Sequence, residues 1–278
     1  MNIGINLSID DIKKQNNNLD LLDIDILLKF VLKKPRSFLY ANSDYILNEE
    51  QNKKLKRLIQ QRKKGKPIAY IISEKEFYGL KFKVDKNTLI PRPETELIID
   101  TVLKTHNNKK ENLKILELGT GTGCIAITLA KLYPKSTIVA TDNSLSVIKL
   151  CHKNIKLHNV SNITTIHSNW FANIPLQKFD LIISNPPYVS LKDKNLMNNE
   201  TLYEPPNALF SDDNGLADLK KIISVASSFL QGYIILEHGY NHSSKIRAEL
   251  AKYNYQKITS IKDASSIDRV TIAFFNHG

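Results

Sequence analysis

Apolar residues recur at three- and four-residue spacing through the N-terminal part of the chain: Leu21, Ile24, Leu28 and Val31 or Leu32 share one stripe, and Leu47, Leu55, Leu58 and Ile59 continue it. That is the period of helices with one buried face. Pro35 and the Asn42-Ser43-Asp44 cluster break the pattern into pieces, because proline lacks an amide hydrogen and short polar side chains compete for the backbone. Residues 1–72 are therefore expected to form a small helical domain. Gly65-Lys66-Pro67 marks a turn, and alternation around Gly79 and Asp85 to Asn87 predicts a β-hairpin within 73–90, read as a connector.

Over 91–278 the rhythm changes to short apolar runs alternating with helical patterns. Such alternation is the mark of βα units on a mostly parallel sheet. Strands are expected at 113–118, 137–141, 163–167, 179–184, 233–236, 256–261 and 270–275, with helices at 94–105, 124–132, 146–158 and 216–230. Only a turn separates the last two strands, so they should pair antiparallel at or near the sheet edge. The expected fold is α/β, a seven-stranded, mostly parallel sheet behind a small N-terminal helical domain.

Composition changes this picture little. The 278 residues are 42% hydrophobic and 24% charged, ordinary for a globular chain. Neither a basic start followed by an apolar run nor a stretch of membrane-spanning length is present, so a soluble, cytoplasmic protein is expected. The only cysteines, Cys124 and Cys151, lack a Cys-x-x-Cys partner or a His at ligand spacing; neither a disulfide framework nor a metal site is expected. A net charge of +11 raises the question of nucleic acid. Its basic residues, however, cluster from Lys53 to Lys66 on one solvated helix and its exit loop, interleaved with Gln. Such a run is more often a soluble face than a nucleic-acid site, and an anionic protein would be attracted equally well.

The first strand of the α/β part runs into Gly119-Thr120-Gly121-Thr122-Gly123 and then a helix. Glycines there let the backbone approach a ligand closely. A dinucleotide fingerprint requires a third small residue where Cys124 stands, so the NAD pattern is not met. Asp142 ends the next strand, in reach of a ribose in the same crevice, or else caps the following helix. A ribose-binding carboxylate beside a Gly turn with no phosphate to cradle fits S-adenosylmethionine. Trp170, the one tryptophan, ends the third strand and lies either beside an adenine or in the core.

Beyond the buried strand 179–184 comes Asn185-Pro186-Pro187-Tyr188. An Asn oxygen and the Pro186 carbonyl can accept both hydrogens of a planar NH₂ group, while the prolines stiffen the backbone and Tyr188 stacks on the flat acceptor. An amide nitrogen is a weak nucleophile, so fixing its hydrogens and aiming it at a methyl group is the useful catalysis. Glu237-His238-Gly239 ends the fifth strand, where the His reads as a satisfied turn residue. Glu204 sits on a long loop that either covers the site or anchors itself.

Together with Gly65-Lys66-Pro67-Ile68-Ala69-Tyr70-Ile71, Glu76-Phe77-Tyr78-Gly79-Leu80 and Ile90-Pro91-Arg92-Pro93-Glu94-Thr95-Glu96, these motifs resemble the release factor glutamine methyltransferases, the PrmC/HemK family, over nearly the whole chain. The Asn-Pro-Pro-Tyr tetrapeptide is shared with enzymes acting on exocyclic amines of bases, which leaves a nucleic-acid methyltransferase as the alternative; the other pieces are not shared. The resemblance implies a class I S-adenosylmethionine-dependent methyltransferase that methylates the Gln of a Gly-Gly-Gln motif in peptide chain release factors, acting as a monomer whose helical domain docks the protein substrate. Carried over by position, it implies that Gly119, Thr120, Gly121, Thr122, Gly123, Asp142, Trp170 and Asn185 hold the cofactor. Asn185, Pro186, Pro187 and Tyr188 would hold the Gln, with Asn185, Pro186 and Tyr188 as the catalytic set. Asn169 departs from the family's Asp before Trp, and residues 262–268 lack the family's Gly near the final hairpin.

Overall fold

A computed structural model describes residues 7–196 and 198–276, in two compact units. The helical unit contains α1 (Ile9–Gln15), α2 (Leu21–Leu32), α3 (Arg36–Ala41), α4 (Glu49–Lys63) and α5 (Ile68–Ile72). Local chemistry sets their ends. Ser8 and Asp11 form a capping box on α1, Asn48 and Gln51 another on α4, and α2 stops at Lys33 in a left-handed conformation two residues before Pro35. Each cap of this kind stabilises its helix by about 1 kcal/mol. Ile24, Leu27, Leu28, Leu55, Leu58 and Ile59 meet in the core of this unit, whereas Leu21 is 58% exposed and lies off the expected stripe.

A late piece of chain completes this unit: Asn198–Tyr203 belongs to it although its neighbours in sequence do not. Glu200 pairs with Arg62, which also holds Asp23, and the Tyr203 hydroxyl donates to the Lys64 carbonyl at 2.7 Å. Arg62 is thus structural. Lys53, Lys56, Arg57, Lys63 and Lys64 are exposed.

In the second unit come the hairpin β1 (Glu74–Phe77) and β2 (Leu80–Lys83), then α6 (Glu96–Thr105), β3 (Lys114–Leu118), α7 (Cys124–Leu132), β4 (Thr137–Asp142), α8 (Leu145–His158), β5 (Ile163–His167) and β6 (Phe179–Ser184). The rest is β7 (Val189–Ser190), β8 (Phe210–Ser211), the short α9 (Asp212–Gly215), α10 (Ala217–Ala226), β9 (Leu230–Glu237), α11 (Ser243–Lys252), β10 (Gln256–Lys262) and β11 (Asp268–Phe275). Seven of the described strands form one sheet, ordered β10-β11-β9-β6-β3-β4-β5, in which β11 runs antiparallel to both neighbours. The final pair lies at the sheet edge, as its short connection required.

Alternate residues of each central strand feed two cores. Ile115, Leu181, Ile183 and Ile235 face α6 and α7, while Leu116, Leu118, Ile182, Ile234 and Leu236 face α10 and α11. Burial on both faces is why these strands read as unbroken apolar runs. The hairpin is part of the first core: Phe77 and Phe82 are almost fully buried there. The β9 strand begins at Leu230, earlier than its apolar run suggested, because Gly232 runs so close to β6 that a Cβ would sit 2.1 Å from the Asp180 carbonyl oxygen. Among the described residues no helix is long and apolar enough to cross a membrane.

Candidate active site

Four adjacent strands, β4, β3, β6 and β9, end at the same edge with Asp142, the Gly turn, Asn185 and Glu237. The chain builds outward from β3 in one direction and from β6 in the other, so a crevice opens where the order reverses. A cavity of about 340 Å³ lies there, within the size range of small-molecule sites. Its wall includes Gly119, Thr120, Gly121, Thr122, Asp142, Trp170, Asn185 and Pro187; Gly123, Pro186 and Tyr188 are not part of it.

The Gly turn requires its glycines. Gly119 and Gly123 have φ of 72° and 81°; a Cβ on Gly123 would come 2.7 Å from Cys151 Sγ, so α8 could not pack as it does. Beneath the turn, buried Glu117 accepts from Thr120 Oγ1 at 2.7 Å and from the Ala126 amide at 3.2 Å, both through Oε2. Asn154 of α8 ties the turn to the hairpin: its Nδ2 donates to the Thr122 carbonyl at 2.8 Å and to the Lys83 carbonyl at 3.0 Å. Neither Glu117 nor Asn154 stands out in sequence.

Burial pushes Glu117 up to about 8 from 4.5, with the Asp142 charge adding to the shift. A carboxyl raised in the folded state keeps a proton that the unfolded chain has lost, so its stabilising contribution is complete below about 4.5 and disappears as pH rises through about 8. One such group changes stability by at most about 1.4 kcal/mol per pH unit. Glu117→Gln, whose oxygen can accept both hydrogen bonds, should therefore flatten the fall in melting temperature between about pH 5 and pH 8. Thermal melts of both proteins at several pH values check this; parallel pH curves would show that Glu117 titrates normally.

Asp142 is held rather than used as a helix cap. Its Oδ2 accepts from the Gly121 amide at 3.2 Å and Oδ1 from the Ser144 amide at 3.0 Å, while Ser144 itself caps α8. Burial raises its pKa, opposed by those amides and by the Asn143 amide. Trp170 lies three residues beyond the end of β5, not within the strand, with φ of 51°. Its ring comes within 3.5 Å of where a Gly119 Cβ would be, and its Nε1 donates to Asp218 Oδ1 at 3.2 Å. The tryptophan is half-buried, with one side on the core and the other on the cavity. Asn169 is exposed on the cavity rim.

The Asn-Pro-Pro-Tyr loop is anchored at both ends. Asn185 Nδ2 donates to Thr95 Oγ1 at 3.1 Å, and the Tyr188 hydroxyl donates to Glu237 Oε1 at 3.0 Å. Tyr188 is thus packed against the core with its hydroxyl on a carboxyl, an anchor rather than the exposed stacking surface expected of it. Burial drives its pKa upward. Gly215 backs the loop so closely that a Cβ would meet the Tyr188 carbonyl oxygen at 2.1 Å. Glu204 proves to be an anchor: it accepts from the Ile90 amide at 3.0 Å and pairs with Arg92, clamping the Pro91 side of the cavity. Both ring nitrogens of His238 have partners, Gly239 O at 3.0 Å and Thr271 Oγ1 at 2.8 Å, and burial lowers its pKa. Among the described residues no group of acidic, His and Cys side chains is placed to hold a metal ion.

A seven-stranded sheet with one antiparallel strand, a Gly turn after its first central strand and a strand-end carboxylate beside it define a class I S-adenosylmethionine-dependent methyltransferase. The cavity has the size and the donor set for that cofactor: a carboxylate, a tryptophan face and a glycine backbone, with no phosphate cradle. Residues 94–253 match the Methyltransferase small domain, and residues 9–72 match the PrmC N-terminal domain. The release factor glutamine methyltransferase of Coxiella burnetii is 40% identical over 254 residues, 91% of each chain. That of Buchnera aphidicola subsp. Acyrthosiphon pisum is 40% identical over 250 residues, 89% of each. The T. thermophilus 16S rRNA N2 G1207 methyltransferase, solved with AdoMet and guanosine, shares the fold with a TM-score of 0.52 at 16% identity, over 73% of this chain and 50% of that one. The chain belongs to the release factor glutamine methyltransferase family.

Proposed function

We propose that this protein transfers the methyl group of S-adenosylmethionine to the side-chain amide nitrogen of the Gln in the Gly-Gly-Gln motif of peptide chain release factors. The observation that carries this reading is the state of Asn185: its Nδ2 donates one hydrogen to Thr95, which turns its oxygen to accept from an NH₂ group at the cavity wall. S-adenosylmethionine supplies a methyl on a sulfonium. When bound, the cofactor would pass that methyl to the acceptor nitrogen and leave as the neutral thioether, and the proton displaced from the nitrogen would go to solvent. Asn185 at the cavity wall accepts from the acceptor's NH₂ group, and Pro186 and Pro187 stiffen the loop, so that the nitrogen is aimed rather than deprotonated beforehand. Asp142 and the Gly turn, with Trp170 alongside, hold the cofactor.

The helical unit is read as the docking element for the protein substrate. Its support is a self-contained apolar core with exposed Lys53, Lys56, Arg57, Lys63 and Lys64, suited to steer an anionic partner. The protein is read as acting as a monomer, in the cytoplasm where release factors work.

Because the loop can recognise only a flat amide, specificity must come from remote contacts, and remote binding energy helps position the reacting group. Full-length release factor should therefore react at least roughly tenfold faster than a Gly-Gly-Gln peptide under single-turnover conditions. Equal rates would remove the docking role. Faster methylation of bulk RNA or DNA than of release factor would replace the proposed acceptor with an exocyclic base amine.

A further inference from the structure

An asparagine amide is nearly symmetric in shape, yet only one of its two orientations serves an NH₂ acceptor. With the oxygen toward the substrate it accepts a hydrogen bond; turned over, it sets two donors against two donors. Nothing in the Asn185 side chain itself selects between them, so the choice falls to its neighbours. Thr95 is that neighbour. It sits 3% exposed at the end of the short 3₁₀ turn Pro93–Thr95, and its Oγ1 receives Asn185 Nδ2 at 3.1 Å.

A hydroxyl can take either part in a hydrogen bond, so Thr95 selects an orientation only if its own hydrogen is committed elsewhere. The acceptor assigned to that hydrogen is Glu237, whose Oε2 is buried without a hydrogen-bond partner. It is 1% exposed, and the Thr95 and Tyr188 hydroxyls both favour its charged form. Tyr188 bonds Oε1; Oε2 has no well-formed partner, so the carboxyl retains acceptor capacity for the Thr95 hydrogen. The charged groups acting on this carboxyl are Glu94 ahead of α6, which disfavours its ionisation, and Arg269 of β11, which favours it; Arg92 and Arg269 act likewise on Tyr188.

We propose that Thr95 is a positioning residue for methyl transfer: with its hydrogen directed onto Glu237, its oxygen holds the Asn185 amide in the one orientation whose oxygen meets the acceptor's hydrogens. The inference rests on the reading of Asn185 given under Proposed function. Polarity runs from Glu237 through Thr95 to Asn185, and Tyr188 closes the other end of the loop on the same carboxyl. Protonating Glu237 gives it a hydrogen to donate, which frees Thr95 to turn toward Asn185 and weakens the selection. Burial places that protonation at about 7, inside the working range of a pH profile.

The test compares single-turnover methylation of full-length release factor by wild type, Thr95→Val, Thr95→Ser, Glu237→Gln and Asn185→Ala, with cofactor affinity measured by calorimetry. Thr95→Val should lower the rate constant roughly tenfold, with KM for release factor and cofactor affinity within about twofold of wild type. Thr95→Ser, which keeps the hydroxyl, should restore most of the rate. The wild-type rate should fall as pH drops below about 7, and Glu237→Gln should abolish that limb. A Thr95→Val enzyme as fast as wild type, beside an inactive Asn185→Ala, overturns this inference alone. Equal losses in Thr95→Val and Thr95→Ser, or a loss accounted for by cofactor affinity, also overturn it. Normal turnover by Asn185→Ala overturns the underlying reading of the loop. Should Thr95→Val not fold, the wild-type and Glu237→Gln profiles decide: a rate flat from about pH 6 to pH 8 in both overturns the proposal.

Discussion

Asn185→Ala should lower the single-turnover rate of methyl transfer by roughly 10²–10³, the usual loss on removing one preorganised hydrogen-bond partner from a reacting group. The fold should survive, because Asn185 lies just past the end of β6 and only its contact with Thr95 is lost. Affinity for S-adenosylmethionine should change by no more than a few-fold, since the Gly turn and Asp142 are untouched. Circular dichroism, calorimetry with the cofactor and a labelled-methyl assay on purified release factor separate these effects. Near-normal turnover in a folded Asn185→Ala protein would sink the mechanism, leaving the loop as a stiff connection after a strand.

Asp142→Ala should weaken S-adenosylmethionine binding about ten- to hundredfold, because a charge-assisted hydrogen bond is worth roughly 1.5–3 kcal/mol. The carboxylate also receives the Gly121 and Ser144 amides, so part of the loss would come from a loosened Gly turn. Asp142→Asn separates the two contributions. Its oxygen can still accept one of those amides while the charge is gone, so an affinity between wild type and Asp142→Ala identifies a direct ribose contact. Calorimetry showing unchanged affinity in the folded Ala variant would reduce Asp142 to a brace for the turn.

What the sequence determined by itself was whatever depends on backbone conformation and burial over short spans. Three glycines between a strand and a helix demand positive φ there, and Gly119, Gly121 and Gly123 all have it. Asn185-Pro186-Pro187 carries its stiffness in its own covalent structure, and the short apolar run 181–183, in an alternating βα rhythm, reads as a strand buried on both faces. The short connection before β11 dictated an antiparallel partner at the sheet edge. Tertiary structure decided which polar side chains meet. Thr95 and Asn185 are 90 residues apart, Trp170 and Asp218 are 48 apart, and Glu204 reaches Ile90 across 114. No local period encodes such pairings, because each polar group is satisfied by whatever partner the folded sheet edge brings to it. For the same reason the stripe through Leu21 misread one position, and nothing near Asn198–Tyr203 announced that it would complete the helical unit. Tyr188 shows the division within one motif: its place after two prolines was legible, but its hydroxyl went to Glu237, buried on the neighbouring strand, because a phenol at the edge of a core must find an acceptor there.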